Sequence, residues 1–98
     1  MAYYHIAFII CGVVQGHPMT CQTEQMVDTK YLGLVNCHST AKRLEEQIVR
    51  EFSAEGKSRG DKTARAEVKT RCLSIDEGEE FIKKNGPSAL FVTGKDFD

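Results

Sequence analysis

The clearest features of this 98-residue chain are the signatures it does not contain. It has no GxxxxGKS/T or GxGxxG segment, so no glycine-rich loop is set up to cradle phosphates. No C-x-x-C or H-x-x-x-H pair occurs, whereas zinc modules present closely spaced ligand pairs. A marked excess of one sign of charge is absent as well. Thirteen Lys and Arg stand against fourteen Asp and Glu, and the net charge of −1 gives no global pull towards nucleic acid or membrane.

Long hydrophobic runs are also missing. The apolar stretch from Ile6 to Val14 is far too short to span a bilayer. Met1-Ala2-Tyr3-Tyr4-His5 lacks the basic start of a signal peptide. The expectation is a cytoplasmic protein of the host cell with no membrane partner. In that compartment the four cysteines (Cys11, Cys21, Cys37, Cys72) are expected to be reduced and packed as small hydrophobes.

Hydrophobic content of 41% and charged content of 28% are ordinary for one globular domain, and they exclude wholesale disorder. Leu34, Cys37, Ala41, Leu44, Ile48 and Phe52 recur at steps of three and four, which is one stripe of an α-helix spanning Gly33 to Phe52. Lys42, Arg43, Glu45, Glu46, Gln47, Arg50 and Glu51 fill the wet side. Gly56 is the natural stop for this helix.

Tyr3 to Val14 is β-branched and aromatic, apolar on both faces, and reads as a central strand. The turn Gln15-Gly16-His17-Pro18 leads to a more polar second strand from Met19 to Val27, paired with the first as a hairpin. After the loop from Lys57 to Lys62 the period becomes two. Ala66, Val68, Thr70 and Cys72 face one way, and Arg65, Glu67, Lys69 and Arg71 the other. Ser74 and Glu77 form an S-x-x-E capping box ahead of a helix from Asp76 to Asn85, with Gly86 as its cap and Pro87 forbidding continuation. Ala89 to Thr93 is a last short strand and Gly94 to Asp98 a loose tail. The expected fold is α+β in the order ββαβαβ, a mainly antiparallel sheet with one long and one short helix on one face.

Chemistry-bearing residues are scattered. Cys37 and His38 adjoin, but neighbours on a helix point about 100° apart and do not form a nucleophile–base pair. Cys37 on the stripe and Cys72 on the buried strand face are explained by packing. Four cysteines allow three disulfide connectivities; Cys11 with Cys21 across the hairpin and Cys37 with Cys72 between helix and strand are both geometrically plausible, and core packing predicts the same proximity. The carboxylate pairs Glu45-Glu46, Asp76-Glu77 and Glu79-Glu80 sit among lysines and arginines, as a solvated helix face requires. No catalytic set, metal site or cofactor is expected.

Charge is uneven along the chain. Residues 57–71 carry Lys57, Arg59, Lys62, Arg65, Lys69 and Arg71 against Asp61 and Glu67, a local +4; residues 75–98 carry −3. With Lys42 and Arg43 of the long helix, this row is the expected partner-binding face. It suits RNA or DNA phosphates or an acidic protein surface, although lysines on an edge strand also serve simply to discourage edge-to-edge pairing.

The layout of an apolar first strand ending in Cys11, then Cys21, Tyr31-x-Gly33-x-x-x-Cys37-x-x-x-Ala41-x-x-Leu44 and a late-strand Cys72 resembles small phage and prophage proteins over residues 3–75. In size, acidity and lack of catalytic motifs the chain is similar to the anti-CRISPR proteins among them. That resemblance implies a non-enzymatic inhibitor that binds a CRISPR-Cas surveillance complex, a ribonucleoprotein, and blocks DNA targeting. It carries over no residue, because such inhibitors share no motif. The alternatives are a virion accessory or decoration protein, and a small cysteine-stapled or zinc-binding interaction module.

Overall fold

The computed structural model describes residues 2–92. The expected end of the last strand at Thr93, the tail, and Lys95, Asp96 and Asp98 of the acidic count lie outside the described residues.

Strand β1 (Tyr3–Val13) occupies the middle of the sheet, as its two apolar faces require. Along one edge β5 (Arg65–Ser74) runs antiparallel in unbroken register, from Tyr4 opposite Ser74 to Val13 opposite Arg65. Along the other edge the expected second strand from Met19 to Val27 is broken into β2 (Thr20–Cys21) and β3 (Gln25–Val27), and past its expected end the chain pairs once more as β4 (Tyr31–Leu32). Cys11 faces Cys21, Ala7 faces Met26 and Tyr3 faces Leu32, so the arm gains one extra residue, then two more. Such insertions interrupt the ladder and bend the strand. β6 (Leu90–Phe91) lies beyond β3 and parallel to it, which makes the sheet mixed but mostly antiparallel.

Helix α1 (Leu34–Ser58) follows the predicted stripe but runs a turn and a half past Phe52. Gly56 is therefore not its stop. It is buried inside the helix, and a Cβ there would lie 2.2 Å from the Cβ of Ala64. The glycine lets the helix end lie directly on the chain entering β5. Cys37, Ala41 and Leu44 pack on Ile6, Phe8 and Val27, with Ile10, Ile48 and Cys72 around them. Each such large side chain contributes about 1.5–3 kcal/mol on full burial.

The second helix, α2 (Ile75–Asn85), corrects the expectation that both helices share one face. Phe81 and Ile82 pack with Ala7, Met26, Leu73 and Ala89, the alternate positions of the same strands. Because β1 is apolar on both sides, each side needs its own cover. The predicted capping box is formed: the Ser74 hydroxyl accepts from the Glu77 amide at 3.2 Å, and the Glu77 carboxylate accepts from the Ser74 amide at 3.0 Å. Gly86, at φ 87°, ends the helix. Gly78 brings α2 close to the sheet, where a Cβ would meet His5 and Met26 at 3.1 Å.

The four thiols expected to be reduced are instead joined as Cys11–Cys21 and Cys37–Cys72. Both pairs follow from the fold. Cys11 and Cys21 are directly opposed in the sheet, and α1 lies on β5 with the Cα atoms of Cys37 and Cys72 6.2 Å apart. Closing sequence separations of 10 and 35 residues contributes about 3 and about 4 kcal/mol in the chain-entropy account. For one small core those are large terms.

Candidate interaction surface

Helix α2 covers only part of its face of the sheet. Its 11 residues extend about 16 Å, against about 36 Å for the 11 residues of β1. It also starts at Ile75, immediately after β5, so it is held at one end, over His5, Ala7 and Leu73. Beyond it the odd-numbered positions of β1 (Ile9, Cys11 and Val13) lie in line with Lys69, Glu67 and Arg65 of β5. No helix among the described residues covers this half, and its apolar members stay half-exposed. The Cys11–Cys21 bond pins its far side.

Arg71 borders the open half. Its guanidinium reaches across β1 and donates to both carboxylate oxygens of Glu24, at 2.9 and 2.8 Å. These bonds, with the nearby Glu24 charge, raise the Arg71 pKa further above its ordinary value.

The eight residues expected to bind a partner are spread over three places. Arg65, Lys69 and Arg71 line the open half of the sheet. Lys57, Arg59 and Lys62 stand at the pole where α1 turns into β5, all exposed. Lys42 and Arg43 are exposed on α1, which covers the opposite face of the sheet. The local +4 is also reduced by partners from outside that stretch. Arg59 is paired with Glu55 at 2.5 Å and Arg71 with Glu24. Lys57, Lys62, Arg65 and Lys69 then balance against Asp61 and Glu67 to leave +2.

Asp61 orders the pole. Its carboxylate accepts from the Thr63 hydroxyl at 2.7 Å, the Gln15 amide at 2.9 Å and the Thr63 amide at 2.9 Å. The Thr63 hydroxyl and then the Gln15 amide hold the Asp61 pKa below the usual carboxylate range.

The residues considered for chemistry are not assembled. Cys37 is bonded to Cys72 and offers no thiolate, and the Nδ1 of His38 sits 3.7 Å from the Cys72 sulfur. His5 is buried under α2 with its Nδ1 3.0 Å from the Val27 carbonyl oxygen, so that nitrogen donates there. His17 is exposed in the turn. Among the described residues no three His, Cys, Asp or Glu converge as metal donors, and no helix is long and apolar enough to cross a membrane.

A surface invisible in the sequence lies on the α1 side. A groove of about 370 Å³ runs between Leu44, Gln47 and Ile48 of α1 and Phe8, Ile10 and Phe91 of the sheet. The rings of Phe8 and Phe91 meet edge to face at 5.7 Å. Periodicity marks Phe8 and Ile48 as core, but only the meeting of β6 with β3 places Phe91 beside them.

Comparison with protein-family models, curated proteins and solved structures finds no match to this chain.

Proposed function

We propose that the chain is a small disulfide-stapled interaction module that acts by binding rather than by catalysis, and that it presents the open half of the sheet to an acidic protein surface. The carrying observation is that half-face itself: Ile9 and Val13 flanked by Arg65 and Lys69, on strands fixed by bonded cysteines. A rigid sheet loses little conformational entropy on binding, and a mixed apolar and cationic surface suits a protein partner. A phosphate backbone is favoured less, because Glu67 interrupts the row and Glu24 occupies Arg71.

The narrower reading, an inhibitor of a CRISPR-Cas surveillance complex, is supported by the resemblance alone, so that complex enters as one outcome of the test. The virion accessory reading shares the support of the disulfides.

The test is capture of partners from bacterial lysate on the tagged protein, with and without nuclease, read by mass spectrometry. It is repeated with Arg65→Glu and with Val13→Asp after each is shown to keep the native circular dichroism spectrum. A protein retained after nuclease and lost with both variants supports the proposal. Capture unaffected by either variant sinks this face. Capture abolished by nuclease assigns the row to nucleic acid.

A further inference from the structure

Among the described residues strand β5, ten residues long, is an edge strand paired on one side only. In an antiparallel sheet, alternate residues turn their backbone groups to alternate sides. The carbonyl of Ile10 accepts from Gln22 on the return arm, so the even positions of β1 point away from β5 and the odd positions point towards it. By register, Arg65, Glu67, Lys69 and Arg71 bond to β1, and Ala66, Val68, Thr70 and Cys72 turn their amides and carbonyls outward. The amide of Ser74, the next in that series, is taken by Glu77. The others form a ready template for another strand.

We infer that this edge pairs with β5 of a second copy, antiparallel, about a twofold axis through Val68. Side chains select that register. An axis at Val68 places Glu67 opposite Lys69 of the other copy, twice, on the face away from α1. An axis at Glu67 or Lys69 sets that residue against itself, and one at Thr70 sets Lys69 against Arg71. An axis at Ala66 opposes Arg65 and Glu67 but pairs little more than the start of each strand. The one like-charged opposition at Val68 is Arg65 with Arg71, and Glu24 already offsets Arg71. Glu67 and Lys69 face Cys11 and Ile9 within their own copy, and neither of those neighbours carries a charge.

Helix α1 points to the same axis independently. It runs antiparallel to β5, with Glu45 accepting from Thr70 at 2.8 Å and Gly56 against Ala64. Val49, one turn after Glu45, falls between these contacts and abreast of Val68. Gln47 and Glu51 line the groove on the other side of the helix, so helical spacing from Glu45 sets Val49, 36% exposed, on the flank beside the open edge. The twofold axis brings the two Val49 side chains together above the two Val68 residues. The resulting dimer joins the two open half-faces into one surface. The inference stands apart from the identity of any partner, because it is read on the purified chain alone.

The experiment is light scattering and sedimentation of the oxidised protein, up to millimolar concentration. The variants are Glu67→Lys, Lys69→Glu and the double exchange Glu67→Lys/Lys69→Glu, each checked by circular dichroism. The expected result is twice the 11.0 kDa chain mass for the parent, monomer for both single variants, and dimer restored by the exchange. A monomeric parent at all concentrations overturns the proposal. So does a dimer that survives both single reversals, which would place the contact elsewhere. An exchange that stays monomeric overturns the Val68 register.

Discussion

Arg71 and Glu24 stand 47 residues apart in the chain and form a two-bond ion pair that spans the central strand. The pair ties the edge strand to the return arm where that arm is bulged. The Arg71 side chain is 56% exposed, which keeps its worth small. A double-mutant cycle of Arg71→Ala and Glu24→Ala, read by urea denaturation, is expected to give a coupling of at most about 1 kcal/mol, falling further at high salt. Arg71→Lys should lose most of it, because an ammonium cannot make the forked contact.

The disulfides should dominate stability. Alkylation of the native protein without reductant is expected to label none of the four cysteines, and full labelling should require reduction. The pair Cys37→Ala/Cys72→Ala should lower stability by about 4 kcal/mol, more than Cys11→Ala/Cys21→Ala at about 3, because its loop is longer. Calorimetry of the two double variants checks the order.

Gly56→Ala separates local propensity from packing. In an open helix the change would stabilise by about 1 kcal/mol. Here the new methyl collides with Ala64, and overpacking of this kind costs about 1–3 kcal/mol. A lower thermal midpoint is the expected sign. A rise would mean that the end of α1 does not rest on Ala64.

Acid should loosen the two ends that carboxylates organise. Asp61, bonded first by the Thr63 hydroxyl, and Glu77, bonded first by the Ser74 amide, both have lowered pKa values. A carboxylate held low in the fold contributes stability that is complete above its ordinary range of about 4. That contribution is lost as pH falls through the lower folded value. Denaturation midpoints taken from neutral to strongly acid pH should therefore decline below about pH 4. In Asp61→Asn the decline should be shallower.

Features that depend on near neighbours in the chain were legible without coordinates. The three-and-four spacing from Leu34 to Phe52 determines α1, the alternation after Ala64 determines β5, and Ser74 with Glu77 determines where α2 begins. Both cysteine pairings were visible as alternatives, but bonded against free was not, because proximity in a core and proximity in a bridge look alike in sequence.

The binding row was legible only as a charge count. That count took in Arg59 and Arg71 without Glu55 and Glu24, which lie outside the stretch and reduce its excess. It also joined Lys42 and Arg43 to Arg65 and Lys69, which the sheet separates onto opposite faces. Periodicity says that a segment has a buried side, not which side of the sheet receives it. The sequence alone therefore determined β1, β5, the two helices and the apolar character of both faces of β1. Only the tertiary structure decided which helix covers which face, how far the short α2 reaches, and which half-face and edge are left open. Those outcomes depend on register and connection between segments tens of residues apart, where no local spacing carries the information.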